Sequence, residues 1–391
     1  MAGQGGDIVV LGAGVAGLAV ATALARRQIP VRILEQAPAI REVGAGLQIT
    51  PNGMAVLRAL GLGDQVARLG DVAEAVELID GESGQLVTRI DLTALAPRGD
   101  FRFFHRADLI GMLEAAARGA GVPITLGHRI DSIHLDRAGA VPCLHGNGQA
   151  VQAGLVIGAD GLHSKVRAVL NGDQPVQFTR QVAWRATLPA EGAIAPVARV
   201  YMGAGRHLVT YPLRGGSLRN IVAVEERRTW AEESWSLTDD PLALRIVFRD
   251  FIPEVRGWLD RIARPNLWGL FRHPVASHWQ GQGAVILGDA AHPTLPFLAQ
   301  GANMALEDAW VLADLLARQP RPDALAAYQM ARAPRAARIV AAATANARNY
   351  HLGGLRRDIA HAGLRLMHRI APQAAGNRFR WIYGLDVTSG A

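Results

Sequence analysis

The feature that most limits the possible folds is a glycine-rich turn near the start of the chain. Four apolar residues at 8–11 precede the sequence Gly-Ala-Gly-Val-Ala-Gly at 12–17, and an apolar, alanine-rich stretch follows at 18–24. The first run predicts a buried strand and the last one predicts a helix. Strand, tight glycine turn and helix in this order are typical of the opening unit of a dinucleotide-binding α/β fold.

An acidic residue follows the next predicted strand. This strand covers residues 31–34 and is followed by Glu35, about twenty residues beyond the glycine turn. A carboxylate at this place accepts hydrogen bonds from ribose hydroxyls and would repel a 2′-phosphate. The sequence therefore predicts an adenosine nucleotide without a 2′-phosphate.

Two further apolar runs end in a glycine close to an acid. Residues 155–157 precede Gly158, Asp160 and Gly161, and residues 284–287 precede Gly288 and Asp289. Because ligands of open α/β sheets bind at the carboxyl ends of the strands, the three glycine segments are expected to converge on one elongated molecule.

Composition limits the class of protein. The chain has 391 residues, of which 50% are hydrophobic and 19% charged, which predicts two globular domains with a large core. The net charge is +7, but the arginines are scattered, which favours contacts with small anions over a nucleic-acid surface. The single cysteine, Cys143, excludes an intramolecular disulfide, and neither a signal peptide nor an apolar run of membrane-spanning length is evident. We expect a cytoplasmic protein.

The rest of the chain divides into helical and strand-rich stretches. Residues 44–50 predict a loop before a helix, 72–97 predict a hairpin outside the parallel sheet, and 178–227 predict an antiparallel meander in a second domain. Further helices are predicted at 105–117, 242–262, 302–317 and 324–347.

Three segments, at 12–17, 158–167 and 288–293, resemble in order and spacing the signatures of the single-component (class A) FAD-dependent aromatic hydroxylases. Residues 300–309 are most similar to the salicylate, 3-hydroxybenzoate and 6-hydroxynicotinate hydroxylase group. The resemblance implies the p-hydroxybenzoate hydroxylase fold, an α/β Rossmann-like FAD-binding domain with an inserted antiparallel β-sheet substrate domain. The implied FAD-binding domain covers 1–71, 98–177 and 270–340, the substrate domain 72–97 and 178–269, and a C-terminal helical segment 341–391.

The resemblance also implies an activity. Such a protein is a monooxygenase that uses FAD, NADH or NADPH as a transient co-substrate, and O2. It hydroxylates a phenolic or N-heteroaromatic substrate, with or without decarboxylation, through a flavin C4a-hydroperoxide. A monomer or homodimer is expected. Two alternatives stay open: an epoxidase or hydroxylase of an isoprenoid or quinone precursor, and a flavin-binding sensor without turnover.

The cofactor contacts implied by the resemblance follow the three segments. Glu35 meets the adenosine ribose, Arg106 contacts FAD, and Asp289 meets the ribityl and pyrophosphate portion. The helix after Gln300 directs its positive end towards the reduced flavin. The full set, which includes no metal ligand, is Gly12, Gly14, Ala16, Gly17, Glu35, Gln36, Arg41, Gly46, Arg106, Asp160, Gly161, Asp289, Pro293, Gly301, Ala302 and Asn303.

Two polar residues on one predicted strand are the candidates for substrate activation. His207 and Tyr211 are four residues apart, so both side chains lie on one face of the strand, about 13 Å apart. On spacing alone, a histidine on an apolar strand is usually structural. The pair resembles the substrate-side pair of the hydroxybenzoate and hydroxynicotinate hydroxylases, which implies that His207 is the base or phenolate-stabilising donor and Tyr211 its hydrogen-bonding partner.

Four residues bear on the identity of the substrate. Gln48 stands where some relatives place a histidine, and Pro296 and Phe297 stand where others carry polar ring contacts. Arg185 can bind a substrate carboxylate or form a structural ion pair. These positions leave the ring that is hydroxylated open.

Overall fold

The computed structural model describes residues 7–40, 46–96, 98–135, 142–227 and 237–390, with the side chains of 347 and 348 left aside. Within them the strands, numbered β1 to β19 in chain order, are Ile8–Leu11, Val31–Leu34, Gly46–Ile49, Asp71–Val72, Ala75–Asp80, Leu86–Asp91, Arg102–His105, Ile124–Thr125, Ile130–His134, Cys143–Gly146, Gln149–Gln152, Leu155–Gly158, Gln177–Pro189, Val197–Gly203, Arg206–Leu213, Leu218–Glu226, Asn266–Arg272, Gln280–Gly281 and Ala284–Ile286. The α-helices, α1 to α13, are Val15–Ala25, Pro51–Ala59, Gly63–Leu69, Leu92–Leu95, Arg106–Gly119, Lys165–Asn171, Pro241–Val247, Pro253–Asp260, Gly301–Arg318, Arg321–Tyr350, Gly354–Ile370, Ala374–Asn377 and Arg380–Tyr383. Two short 3-10 helices are Gly288–Ala290 and Pro296–Leu298.

One sheet carries the glycine segments. Its strand order is β18-β19-β12-β1-β2-β8, and all neighbours are parallel except the edge strand β18. Every residue of β1 and β12 is buried, as expected for parallel strands that are covered on both faces. The helix after the first glycine turn, α1, packs against α5 and α9. The predicted α/β fold is confirmed.

A second sheet has the strand order β17-β13-β16-β15-β14-β5-β6. Within the range 178–227, strands β14 to β16 form the predicted antiparallel meander, whereas β13 pairs with β16 instead of with β14. Strands β5 and β6 form the predicted hairpin. The hairpin extends the meander, since β5 pairs with β14 in parallel. Trp184, Phe248 and Phe251 belong to a core that this sheet shares with α7 and α8. The boundaries of the two predicted domains stay a prediction.

Two local predictions were wrong. The helix predicted at 242–262 is split into α7 and α8, because Pro253 has no N–H to donate and stands in the first turn of a new helix. The predicted loop at 44–50 contains the strand β3, which pairs with β7. The helices predicted at 105–117, 302–317 and 324–347 are confirmed as α5, α9 and α10, each slightly longer than predicted.

The C-terminal segment returns to the body of the protein. The ring of Tyr383 on α13 lies 5.7 Å from the ring of Phe101, edge to face. The side chain of Ile382, next to it, is fully buried in the core of the first sheet. Across the described ranges, no helix has both the length and the apolar composition needed to cross a membrane.

Candidate active site

The three glycine segments meet at one edge of the parallel sheet. In the register of the sheet, Leu11 lies beside Gly158, and Gly158 lies beside Ile286. The chain therefore leaves β1, β12 and β19 side by side. This juxtaposition, predicted from the apolar runs, places the segments around a common crevice.

Glycine is required at two positions of the first turn. Gly12 has φ +99°, and a Cβ atom there would lie 2.5 Å from the carbonyl oxygen of Ala159. A Cβ atom on Gly17 would lie 1.9 Å from the carbonyl oxygen of Gly12. At Gly14, by contrast, a Cβ atom meets nothing within 4 Å. The turn is compact on the protein side and open at Gly14, beside the first N–H groups of α1, which suits a bound phosphate.

Glu35 stands beside this turn at the carboxyl end of β2. Its carboxylate accepts hydrogen bonds from the backbone N–H groups of Ala13, at 2.6 Å, and Ala37, at 2.8 Å. The next residue, Gln36, is exposed. Arg41, also predicted to contact the cofactor, lies outside the described residues.

The third glycine segment is held in place by the buried carboxylate of Asp308. Gly288, with φ +61°, packs against Ala16 of the first segment, and its N–H donates to Oδ2 of Asp308 at 3.1 Å. The same carboxylate is hydrogen-bonded to Nε2 of His292 and, at 2.7 Å, to Nε of Arg332. Burial alone would raise the pKa of Asp308, but the charges of His292 and Arg332 and their hydrogen bonds lower it to about 2.

A second buried acid continues this anchor. Glu307 accepts hydrogen bonds from Asn52 of α2 and from Arg335 of α10, and it lies 2.6 Å from Arg332. Asn52 also donates to Gln300 at the start of α9. This cluster was not predicted from the sequence, although two adjacent acids on an apolar helix and two arginines three residues apart were a visible signal.

A cavity of about 500 Å³ opens between the two sheets. Residues predicted to bind the cofactor, to bind the substrate and to activate the substrate all line it. Those that line it are Gly14, Ala16, Gly46, Gln48, Arg106, Gly161, Arg185, His207, Tyr211, Asp289, Pro293, Pro296, Phe297, Gly301 and Ala302. Cofactor-side and substrate-side candidates thus border one space.

The other predicted residues that the structure describes do not line this cavity. Gly12, Gly17, Glu35 and Gln36 belong to the glycine turn and to the end of β2, described above. Asp160 is partly buried, and loss of solvation raises the pKa of its carboxyl group, which accepts the N–H of Lys165 at the start of α6. Their roles in cofactor binding stay predictions.

Asn303 is also buried, and its side-chain amide forms hydrogen bonds with backbone groups. Its Oδ1 accepts the N–H of Thr50 at 2.9 Å, and its Nδ2 donates to the carbonyl oxygen of Gln48 at 3.0 Å. These bonds tie α9 to the end of β3. Asn303 therefore supports the cavity wall, and a direct cofactor contact stays a prediction.

His207 is 1% exposed and lies on β15 facing aromatic side chains. Its ring is 5.6 Å from that of Phe297 and 5.2 Å from that of Tyr350. Its Nδ1 is hydrogen-bonded to Nε2 of His351 at 2.7 Å. Burial, and then the charge of His351, hold the pKa of His207 well below its usual range, so the ring is neutral at neutral pH.

Tyr211 is buried on the same strand. Its ring stacks on Phe103, with centroids 4.9 Å apart, and lies against Gly46, where a Cβ atom would be 2.6 Å from Cε2 of the tyrosine. Burial raises the pKa of Tyr211, and the nearby charge of Arg185 acts in the opposite direction. Tyr211 therefore stays a neutral phenol that can donate a hydrogen bond.

Residues near the C-terminus also contribute to the cavity, which was not predicted from the sequence. Tyr350, Phe379 and Tyr383 also line it. They come from the end of α10 and from the region of α13, which were expected to form a separate helical segment. Spacing alone gave no signal for them, since they reach the cavity only through tertiary packing.

The crevice fits a flavin nucleotide. The glycine turn leaves open space at Gly14, Glu35 is held beside this turn by the N–H of Ala13, and α9 begins at the cavity with its first N–H groups. A comparison with protein families finds a match to the FAD binding domain over residues 6–343. The chain belongs to this FAD-binding family. FAD is therefore its cofactor.

Relatives within the family share most of the chain. It is 33% identical to a 3-hydroxybenzoate 6-hydroxylase of Polaromonas naphthalenivorans (strain CJ2), over 97% of this chain and 96% of that protein. It is 36% identical to a 3-amino-4-hydroxybenzoate 2-monooxygenase of Streptomyces cremeus, over 88% of each. The resemblance to flavoprotein aromatic hydroxylases predicted from the sequence is confirmed.

A solved structure supports the fold. A salicylate hydroxylase in complex with its substrate superposes with a TM-score of 0.82 and 24% sequence identity, and it covers 99% of this chain and 97% of its own. The chain thus shares the fold of this salicylate hydroxylase.

Proposed function

We propose that this flavoprotein hydroxylates a phenolic or N-heteroaromatic acid, with O2 and with NADH or NADPH as the electron donor. One observation carries the proposal: His207, Tyr211 and Arg185 line the same cavity as Asp289 and Pro293. A base, a neutral hydrogen-bond donor and a cation are therefore presented to whatever lies beside the cofactor. The relatives named above act on hydroxybenzoates, which fit this set of groups.

When bound, FAD supplies the redox chemistry that reduces O2 and transfers one oxygen atom to the ring. Gly12, Gly14 and the start of α1 would hold its pyrophosphate, and Glu35 its adenosine ribose. Asp289 and the N–H groups at Gly301 would hold the flavin end. No second glycine turn of this kind occurs in the sequence, so the nicotinamide coenzyme is expected to bind transiently.

His207 acts on the substrate as a general base. Ring hydroxylation requires an electron-rich ring, and a phenol becomes electron-rich when it loses its proton. The hydrogen bond to His351 uses Nδ1 of His207, which leaves Nε2 to accept the phenolic proton. The neutral ring that burial enforces is the form that can accept it.

Arg185 and Tyr211 orient the substrate. The guanidinium of Arg185 is stacked over Trp268, 4.1 Å from the ring centroid, and this contact fixes its plane at the cavity wall. A planar guanidinium held in this way suits a carboxylate. Tyr211, wedged between Phe103 and Gly46, would donate a hydrogen bond to a substrate oxygen.

The apolar walls keep water away from the reaction. Phe297, Tyr350 and Phe379 line the cavity together with aliphatic side chains of the second sheet. Excluding water favours attack on the ring over the release of hydrogen peroxide.

The proposal is tested by incubating the FAD-loaded protein with NADH and with NADPH and a panel of hydroxybenzoates, salicylate and 6-hydroxynicotinate. We expect at least one acid to stimulate coenzyme oxidation and to gain one oxygen atom, identified by mass spectrometry. An isoprenoid or quinone precursor in the same panel tests the epoxidase alternative. If no compound stimulates oxidation although FAD is bound, the sensor alternative is favoured.

We further propose that the protein is cytoplasmic and a monomer or homodimer. Light scattering of the FAD-loaded protein will give its mass in solution, and a larger assembly would contradict the second part of this proposal.

A further inference from the structure

A line of three hydrogen-bonded groups runs from the cavity to the surface. Nδ1 of His207 lies 2.7 Å from Nε2 of His351, and Nδ1 of His351 lies 2.8 Å from a carboxylate oxygen of Glu226. The side chain of His351 is 2% exposed, whereas that of Glu226 is 54% exposed. The three residues come from β15, from the end of α10 and from β16.

We propose that His351 and Glu226 are the exit path for the proton that His207 removes from the substrate. This inference rests on the proposed function and deepens it, because it assigns positioning and transfer roles to residues outside the cavity. It follows from the continuity of the three contacts and from the change from buried to exposed along them.

The hydrogen bonds set the direction of transfer. Because the Glu226 carboxylate only accepts, Nδ1 of His351 carries the proton and Nε2 of His351 carries the lone pair. Nδ1 of His207 therefore donates to His351, and Nε2 of His207 is left with the lone pair that faces a phenol. The resting tautomers are thus the ones that a base needs.

The proposed path consists of four proton transfers, and the numbers of protons lost and gained are equal. The phenol O–H bond breaks and the proton bonds to Nε2 of His207, while the Nδ1 proton of His207 moves to Nε2 of His351. The Nδ1 proton of His351 moves to Glu226, which loses it to water. One proton leaves the substrate and one reaches solvent. The reverse transfer, when the product phenolate is reprotonated, restores both tautomers.

Two other polar side chains of the described residues contact the line, Tyr350 and Gln181. Tyr350 faces His207 from α10, and burial raises the pKa of its hydroxyl. Gln181 of β13 approaches Nδ1 of His351 at 3.5 Å, farther than Glu226 does, and its side chain does not titrate. Within the described structure, Glu226 is the charged side chain bonded to His351.

The burial of both histidines explains why an exit is needed. Burial lowers the pKa of His207 and also that of His351, although Glu226 acts to raise the latter. Neither ring can therefore store the substrate proton as a stable cation near neutral pH. His207 can therefore act as a base only if the proton that it accepts is transferred further, to solvent.

The experiment measures proton release rather than turnover. The FAD-loaded protein is mixed with 3-hydroxybenzoate near pH 7 in weakly buffered solution containing a pH-indicator dye, without reduced coenzyme. Ligand binding is followed separately through the flavin absorbance. At this pH the carboxyl group is already ionised and the phenol is not, so the dye reports only the phenolic proton.

Glu226→Gln retains the shape of the side chain and an acceptor for His351 but cannot take up a proton at this pH. We expect it to bind the ligand as the wild type does and to release the proton at least about tenfold more slowly. Glu226→Asp should recover part of the rate. The matched control is Glu225→Gln, since the neighbouring acid pairs with Arg227 instead of His351, and its release should equal that of the wild type.

His351→Asn provides the second variant, and it should slow release without abolishing ligand binding. Release by Glu226→Gln at the wild-type rate, or the absence of proton release from a wild type that binds the ligand, would overturn the exit path while leaving the proposed function standing. If the ligand neither binds nor stimulates coenzyme oxidation, and the other acids of the panel behave likewise, the proposed function fails and the exit path with it.

Discussion

The carbonyl oxygen of Gly12 lies 1.9 Å from the position that a Cβ atom on Gly17 would take. The two glycines therefore close the first turn against itself, and the contact involves backbone on both sides, which cannot swing away. Gly14, between them in sequence, faces open space at the cavity. The three glycines of one short motif thus serve different purposes, packing at Gly12 and Gly17 and access at Gly14.

This difference predicts opposite results for two substitutions. Gly17→Ala would gain helix propensity in α1, but the clash with Gly12 outweighs it, and we expect the FAD-free protein to lose about 3 kcal/mol of stability or more. Gly14→Ala should change the free energy of unfolding by less than about 0.5 kcal/mol. It should nevertheless weaken FAD binding, because its methyl group takes up space for the pyrophosphate. Denaturant unfolding and flavin fluorescence titration measure the two effects, and a destabilised Gly14→Ala would contradict this division.

Acid sensitivity is expected from the buried anchor beneath the third glycine segment. The pKa of Asp308 is lowered from 3.8 to about 2 in the folded protein, so its stabilising contribution is complete above about pH 4. That contribution, roughly 2 kcal/mol, is lost as the pH falls towards 2. Asp308→Asn leaves Arg332 less well compensated and should cost about 3–5 kcal/mol at pH 7.

Unfolding midpoints at pH 7, 4 and 3 test this expectation. The matched control is Glu114→Gln on α5, where the pair with Arg118 is partly exposed and should contribute less than about 1 kcal/mol. Equal losses in the two variants at pH 7 would show that the buried anchor is no stronger than a surface pair.

The pH profile of hydroxylation should reflect the environment of His207. Its lowered pKa keeps the ring neutral at pH 6, where an exposed histidine is largely protonated, so wild-type kcat/KM should not fall between pH 7 and 6 through this group. His207→Asn should reduce hydroxylation about 100-fold and increase hydrogen peroxide release, while FAD remains bound. Activity of the variant should recover towards pH 10, where the phenol ionises in solution. Unchanged coupling between oxygen use and product would remove His207 from the role of base.

The positions of the cofactor segments were predictable because each depends on a local pattern. An apolar strand followed by glycine marks the carboxyl end of a strand, and the geometry of a parallel sheet then brings Gly12, Gly158 and Gly288 together without further information. The same holds for His207 and Tyr211, since alternation along a strand places them on one face. These placements were predictable because near neighbours determine where the side chains point, whereas the roles of the residues come from the family resemblance and stay predictions.

Residues that reach the cavity over long distances were not predictable in this way. His351 is hydrogen-bonded to His207, which lies 144 positions earlier in the chain. His351 follows α10, and the apolar pattern of that helix does not predict what the end of the helix contacts. The hydrogen bonds of the Asn303 amide to Thr50 and Gln48 depend in the same way on where β3 lies. In both cases the packing of separate elements decides the role, and one sequence does not display that packing.

Arg185 supplies the sharpest test of substrate class. If it binds a carboxylate, Arg185→Met should raise KM for 3-hydroxybenzoate about 100-fold, and Arg185→Lys should recover part of the loss because it keeps the charge but not the planar fork. The uncharged 3-hydroxybenzamide should be almost unaffected. Arg219→Met is the matched control, since Arg219 is also stacked over a tryptophan, Trp258, at 4.0 Å, but does not line the cavity. Equal effects on the acid and the amide would mean that Arg185 only supports the cavity wall, and the substrate would then need no carboxylate.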